Sequence, residues 1–85
     1  MTFSILFWLN RSKVNKRAKS PIYLRITVSG VRAELSTGKW IEEDKWSSVA
    51  GKVMGRSEEA KTINGSLDRS KLKIEKALLL LSFSN

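Results

Sequence analysis

The amino-acid sequence predicts an α+β fold: a three-stranded antiparallel β-meander packed against a long C-terminal α-helix. Three observations support it: an aromatic, strand-like segment near the N-terminus, two alternating segments joined by Ser29-Gly30, and apolar residues at helical spacing after Ser57. A chain of 85 residues can form one small domain with a thin core. We therefore expect a single domain over residues 1–85, with strands at about 3–10, 21–29 and 31–37 and a helix at about 57–81.

The first predicted strand is short and rich in aromatic and branched side chains, which favours a strand over a helix. Its inward face is expected to hold Phe3, Ile5, Phe7 and Leu9. Trp8 and Asn10 then lie on the outward face, beside a basic loop.

The second and third strands form a predicted β-hairpin around Ser29-Gly30. A turn at these two residues pairs Val28 with Val31, Ile26 with Ala33 and Leu24 with Leu35, so the apolar side chains of both strands share one face. The other face carries Tyr23, Arg25, Thr27 and Arg32. Arg25 lies opposite Glu34 in this register, so an ion pair is one role for it and contact with a nucleic acid is another.

The segment between the hairpin and the helix is predicted to be irregular. Gly38 is expected to end the third strand, and Ser47–Gly55, which contains two glycines, is expected to be a loop. A short helical turn at about Glu42–Trp46 is expected to bury Trp40, Ile41 and Trp46.

The C-terminal helix has a clear predicted start. Ser57 is expected to be the N-cap, with Glu58 and Glu59 in the first turn, where the helix dipole favours negative charge. Its apolar stripe consists of Ala60, Ile63, Leu67, Ile74, Leu78 and Leu81. Further leucines fall beside this stripe, so the distal part has more apolar surface than one sheet can cover.

Composition argues against several classes of function. The chain has no cysteine and no histidine, which removes disulfides, thiolate metal sites and the usual general base. Its single tyrosine, Tyr23, lies in a predicted strand without an obvious base. We therefore expect no catalytic, cofactor-binding or metal-binding residues. The apolar run Ala77–Leu81 is far shorter than the roughly 20 residues that cross a bilayer, so we expect a cytoplasmic protein without a membrane partner.

The charge distribution points to a polyanion as the partner. The net charge is +8, and residues 1–41 carry eight Lys or Arg side chains against one acid, Glu34. Five of these bases lie within residues 11–19. An uncovered sheet face can enter the major groove of DNA, about 12 Å wide, where Arg reads guanine and Thr contacts the thymine methyl group. The loop lysines suit phosphate contacts, and the alternative is a loop that is merely solvated.

The sequence resembles the N-terminal arm-type DNA-binding domain of tyrosine recombinases, the integrases of phages and conjugative transposons. The residues that carry this resemblance are Leu9-Asn10-Arg11, Pro21-Ile22-Tyr23-Leu24-Arg25, Leu35-Ser36-Thr37-Gly38, Trp46 and Ser57-Glu58-Glu59-Ala60, and it extends over residues 5 to about 80. The resemblance implies a sheet that binds arm sites in double-stranded DNA and a helix that leads, in full-length relatives, into core-binding and catalytic domains. It implies a binding module that is not itself an enzyme.

Together, the residue pattern and the resemblance give a set of candidate DNA-binding residues. Tyr23, Arg25, Thr27 and Arg32 are expected to contact bases, and Arg11, Lys13, Lys16, Lys19 and Lys39 are expected to contact phosphates. Further expected partners are a core-binding or catalytic domain, or other integrase protomers, contacted through the helix.

The sequence is also compatible with two other functions. One is a protein-interaction module that docks through the apolar end of the helix. The other is a small basic RNA-binding domain, which is disfavoured because no aromatic ladder for stacking bases is evident.

Overall fold

The computed structural model describes residues 2–83 and has the predicted α+β architecture. The strands are β1 (Phe3–Leu9), β2 (Lys19–Val28), β3 (Val31–Glu42), β4 (Trp46–Ser47) and β5 (Lys52–Val53), and the helix is α1 (Glu58–Phe83). The main sheet has the antiparallel order β1-β2-β3, which together with α1 confirms the predicted fold class. Residues 1, 84 and 85, which were expected to belong to the domain, lie outside the described residues.

The β2–β3 hairpin has the predicted register. Val28 pairs with Val31, Ile26 with Ala33, Leu24 with Leu35, and Arg25 with Glu34. At the turn, Ser29 has φ 48° and Gly30 has φ 84°. Two consecutive positive φ values are those of a type I′ turn, whose twist matches the twist of the flanking strands. The alternation and the turn therefore fix the same pairing.

β3 is longer than expected, because Gly38 lies within the strand and does not end it. The strand continues to Glu42, and residues 37–39 form a bulge opposite the single residue Ile22. Gly38 has φ 75°, a conformation that glycine adopts without a steric cost. The glycine thus marks a β-bulge, after which the strand resumes its pairing with β2.

Thr37 holds this bulge in place with a single hydroxyl group. Its Oγ1 donates a hydrogen bond to the carbonyl of Ile22 at 2.7 Å and accepts one from the amide of Lys39 at 3.2 Å. The amide of Gly38 donates to Oγ of Ser36 at 3.2 Å. The side-chain oxygens of Thr37 and Ser36 thus form hydrogen bonds with backbone groups that the bulge removes from the regular pairing of β2 and β3.

The segment after β3 is more ordered than expected. A 3-10 turn at Glu43–Lys45 lies where a helical turn was predicted. The next segment forms a small hairpin in which Trp46 of β4 pairs with Val53 of β5, so the predicted loop Ser47–Gly55 contains a strand. Trp46 and Val53 are both buried. The hairpin therefore adds core residues beside the main sheet.

α1 begins as predicted. Ser57 precedes the helix, and its Oγ accepts a hydrogen bond from the amide of Ala60 at 3.1 Å. Glu58 and Glu59 occupy the first turn. The helix is further tied to β5 by Asn64, whose amide group accepts from the Val53 amide and donates to the Val53 carbonyl, both at 2.9 Å. The Asn64 side chain thus binds both the N–H and the C=O group of Val53 in β5.

The core lies between the inner face of the main sheet, the small hairpin and the first half of α1. Its buried apolar residues are Phe7, Leu9, Ile22, Leu24, Ile41, Trp46, Val53, Ala60, Ile63 and Leu67. α1 packs mainly against β1 and β5. The inner face of β3 near the turn is therefore left uncovered, and the exposed fractions of Val31 and Leu35 are 74% and 51%.

The distal half of α1 carries several exposed apolar side chains. Leu72, Leu79, Leu80 and Phe83 are all exposed, whereas Ile74 packs against the core. Within residues 2–83, no helix is both long enough and apolar enough to span a membrane.

Candidate nucleic-acid interface

The face of the main sheet opposite α1 carries the candidate site. Three cross-strand rows form this outer face: Trp8, Tyr23 and Ser36; Leu6, Arg25 and Glu34; and Ser4, Thr27 and Arg32. Four of the predicted site residues therefore lie together on it: Tyr23, Arg25, Thr27 and Arg32. Period-2 alternation on three paired strands brings them to one side of the sheet.

Arg25 lies near the centre of this face between an aromatic ring and a carboxylate. Its guanidinium carbon is 5.3 Å from the centre of the Trp8 ring, within the range of a cation–π contact. Its Nη2 lies 3.5 Å from Oε1 of Glu34. Its Nε is buried and makes no hydrogen bond. The ion pair left open by the sequence is thus present, but it uses one long contact and leaves other guanidinium donors free.

Tyr23 connects the outer face to the basic loop. Its ring centre is 5.3 Å from that of Trp8, with the two planes inclined at 58°. The Lys13 Nζ donates to the Tyr23 hydroxyl at 2.9 Å and lies 5.4 Å from the ring centre, so the ammonium group extends beyond the hydroxyl and does not stack on the ring. Lys13 is therefore held beside the aromatic pair.

Thr27 and Arg32 form the row nearest the hairpin turn. They pair directly across β2 and β3, which places both side chains on the outer face. Arg32 is exposed, and its side chain makes no ion pair or hydrogen bond within the described part of the chain. Its guanidinium is thus available to a ligand.

The basic loop between β1 and β2 is ordered by two asparagine side chains. Oδ1 of Asn10 accepts from the amide and the hydroxyl of Ser12, at 3.2 and 2.6 Å. Oδ1 of Asn15 accepts from the amides of Arg17 and Lys19, at 2.9 and 3.0 Å. These side-chain hydrogen bonds provide partners for backbone amides of the loop, which are not paired with a neighbouring strand. They hold the exposed Lys16 and Arg17 in a defined segment.

Arg11 and Lys19 have acidic partners within the chain. The Nε of Arg11 lies 3.0 Å from Oε1 of Glu43, and its Nη2 donates to the hydroxyl of Ser48 at 3.1 Å. The Nζ of Lys19 lies 3.2 Å from a carboxylate oxygen of Glu59. A phosphate would compete with these carboxylates at both positions. The predicted phosphate contacts of Arg11 and Lys19 remain predictions.

A small charge cluster joins the end of β3 to the start of α1. Glu42 lies 2.7 Å from the Nζ of Lys45 and 3.7 Å from that of Lys19, and Lys45 also approaches Glu59 at 3.8 Å. The hydrogen bond from Lys45 lowers the pKa of Glu42 below its usual value, against the opposing effect of desolvation. The same bond raises the pKa of Lys45. These charges anchor the helix start to the sheet.

Trp40 and Lys39 lie at or beside the bulge in β3, and the position of Trp40 differs from the expected one. Trp40 was expected to be buried, but it is 39% exposed, so that prediction is wrong. Trp40 pairs with Pro21, two residues before Tyr23 on β2, which puts it on the outer side of the sheet. The extension of β3 beyond Gly38 causes this placement. Lys39 lies in the bulge, is half-buried and has no ion pair within residues 2–83.

A helix-backed sheet with an outer face of arginine and aromatic side chains, beside a lysine-bearing loop, is typical of small nucleic-acid-binding domains that use a β-sheet as the contact surface. A family model described as the arm DNA-binding domain matches residues 7–85. The chain belongs to this family, whose domains are typical of the N-termini of tyrosine recombinases. No curated protein and no solved structure gave a significant match. Family membership indicates DNA binding, by a module that is not a catalytic domain.

Proposed function

We propose that this domain binds double-stranded DNA at arm-type sites, as the N-terminal module of a site-specific tyrosine integrase. The main support for this proposal is the outer face, where Arg25, Thr27 and Arg32 lie together on paired strands. Neighbouring strands are about 4.8 Å apart, so three strand backbones span roughly 10 Å and match a major groove about 12 Å wide. α1 lies on the other face of the sheet and leaves this surface accessible.

The side chains divide into two proposed groups. Arg25, Thr27, Arg32 and Tyr23 contact base edges, because they project from the sheet face that enters the groove. The phosphate contacts are assigned to the loop and bulge lysines Lys13, Lys16 and Lys39 and to the internally paired Arg11 and Lys19. Phosphate contacts position the domain without reading sequence.

In a longer integrase, such a module would act with a core-binding domain on the same DNA molecule. Linking two DNA-binding modules makes the second binding event intramolecular and raises its effective concentration. We therefore propose modest affinity for the isolated domain and tighter binding by a linked protein.

The test measures binding of the purified domain to two fluorescent duplexes by anisotropy at several salt concentrations. One duplex is the sequence most enriched by the domain from a randomised library, and the other is its base-shuffled counterpart. With about four to six phosphates neutralised, the slope of log K against log salt should be roughly −4 to −5. A slope near zero would contradict the proposal.

Variants separate base contacts from general electrostatics. Arg25→Ala should weaken binding to the enriched duplex by about 1–3 kcal/mol and reduce discrimination between the duplexes. Lys73→Ala is the matched control, since Lys73 is an exposed cation on α1 and lies outside the outer face. Equal losses on both duplexes for Arg25→Ala would make Arg25 a phosphate contact. Competition by single-stranded RNA tests the RNA-binding alternative in the same assay.

A second candidate function is docking of a protein partner on the distal part of α1. The observation that favours it is the set of exposed side chains Leu72, Leu79, Leu80 and Phe83, since runs of exposed large apolar residues are typical of interaction surfaces. The candidate occupants are another integrase protomer and a core-binding or catalytic domain. Sedimentation of the domain over a range of concentrations tests the first of these. Self-association without DNA binding would favour this function over the first.

A further inference from the structure

Glu34 is an acidic side chain at the centre of a surface proposed to face polyanionic DNA. It is the only acid in the three outer-face rows. An exposed carboxylate there repels phosphates at every DNA sequence, so it lowers general affinity. Its ion pair with Arg25 is 3.5 Å long, and the two side chains are 41% and 28% exposed. Exposed pairs of this kind contribute little to stability. The carboxylate of Glu34 therefore opposes general DNA affinity and adds little to stability.

The geometry of the pair leaves both partners with unused hydrogen-bonding capacity. Arg25 offers five N–H donors, and only Nη2 approaches Glu34. Trp8, 5.3 Å from the guanidinium carbon, holds Arg25 from the other side. An open depression of about 380 Å³, bordered by Trp8, Tyr23, Glu34 and Ser36, leaves space beside the carboxylate. A base edge therefore has space to approach the Glu34 carboxylate, and the Arg25 guanidinium lies beside it.

The two head groups are in contact, so together they can reach only base pairs that lie next to each other. Nη2 of Arg25 and Oε1 of Glu34 are 3.5 Å apart. Consecutive base pairs of B-DNA are about 3.4 Å apart along the helix axis. In the major groove, arginine binds O6 and N7 of guanine in a bidentate manner, whereas glutamate accepts a hydrogen bond from N4 of cytosine. Two head groups with this separation and these preferences suit two adjacent base pairs.

We propose that Arg25 and Glu34 act together as a two-base reader, in which Arg25 contacts a guanine and Glu34 selects a cytosine in the adjacent base pair. This inference rests on the proposed binding of duplex DNA by the outer face. Glu34 is then a specificity-determining residue: it disfavours DNA in general and recovers a favourable contact only where cytosine offers an N4 donor. Specificity thus arises from the repulsion between Glu34 and DNA in general as well as from the attractive contact of Glu34 with cytosine.

The first experiment selects duplexes from a randomised library with the wild-type domain, Glu34→Gln and Glu58→Gln. The wild type should enrich a guanine next to a cytosine. Glutamine binds adenine N6 and N7 in a bidentate manner, so Glu34→Gln should keep the guanine and change the adjacent preference from cytosine to adenine. Glu58→Gln removes the same charge from an exposed position on α1, where the carboxylate-bearing side chain is 92% exposed, and should leave the enriched sequence unchanged.

The second experiment needs only the wild-type domain, so it does not depend on the folding of a variant. In the enriched duplex, the selected cytosine is replaced by thymine, whose O4 is an acceptor that faces the carboxylate. Binding should weaken about tenfold or more, as expected for one mismatched position. An unchanged affinity, or an enriched sequence that Glu34→Gln leaves as it was, would overturn the role of Glu34. Failure of the wild type to bind any duplex would instead overturn the proposed function, and the two-base reader with it.

Discussion

Asn64→Ala removes the link between α1 and the small β4–β5 hairpin. In the native structure, the Asn64 amide group makes hydrogen bonds of 2.9 Å to both the N–H and the C=O of Val53. Val53 is only 2% exposed, so water reaches these two backbone groups poorly once the side chain is truncated. The substitution therefore leaves one donor and one acceptor of the core strand without protein partners.

The size of the effect follows from these two bonds. A buried donor or acceptor left without a partner costs about 1–3 kcal/mol, so the two Val53 groups together cost at least about 2 kcal/mol. Alanine has a higher helix propensity than asparagine, which offsets about 0.5 kcal/mol. The expected loss is therefore at least about 1.5 kcal/mol. For a domain of this size, that corresponds to a fall in Tm of roughly 6–12 °C.

The measurement is thermal unfolding followed by circular dichroism, with urea unfolding as a second method. Thr62→Ala is the matched control, because Thr62 is an exposed residue of the same helix and alanine raises helix propensity there as well. The control should be as stable as the wild type or slightly more stable. If Asn64→Ala and Thr62→Ala have the same stability, the inferred contribution of the Asn64–Val53 bonds is wrong.

Three further substitutions test other parts of the molecule. Gly65→Ala should raise stability by about 0.5–1 kcal/mol, since the new Cβ would meet only the flexible end of Arg69 at 3.3 Å, and a lower urea midpoint would contradict this. Lys16→Ala should weaken binding to enriched and shuffled duplexes equally and reduce the salt slope by about one; a loss confined to one duplex would exclude a simple phosphate contact. Lys45 lowers the pKa of Glu42, so the stability from this carboxylate is present above its unfolded pKa and lost as the pH falls through the folded value. Glu42→Gln should flatten that part of a pH series of unfolding measurements, and an unchanged series would refute the linkage.

The hairpin and the helix start could be predicted because their signals are local. Alternation on both sides of Ser29-Gly30 determines which side chains share a face, and the turn fixes the same register. Ser57 caps the helix through an amide only three residues away. The sequence predicts the end of β3 at Gly38 because glycine occurs at the ends of strands as well as at β-bulges within them. Strands of two residues, such as β5, are too short to produce a periodic pattern.

The outer face could be predicted in part for the same reason. Tyr23, Arg25, Thr27 and Arg32 follow from alternation alone, and they do lie on one side of the sheet. The partners of Arg11 and Lys19 are 32 and 40 residues away in sequence, so their ion pairs depend on tertiary structure that no local pattern encodes. The exposure of Trp40 likewise depends on the unrecognised extension of β3.

The bulge in β3 has a consequence for changes in chain length. Residues 37–39 stand opposite Ile22, so β3 has two residues more than regular pairing requires. Because side chains alternate with a period of two, two additional residues leave the later side chains of β3 on the same faces as in regular pairing. Ile41 is therefore still buried in the core. Removal of two residues here would restore a regular ladder with every later side chain on its present side. Removal of one would leave two residues opposite Ile22, which is the usual form of a β-bulge, so the bulge should absorb small insertions and deletions while Ile41 stays paired with Ser20.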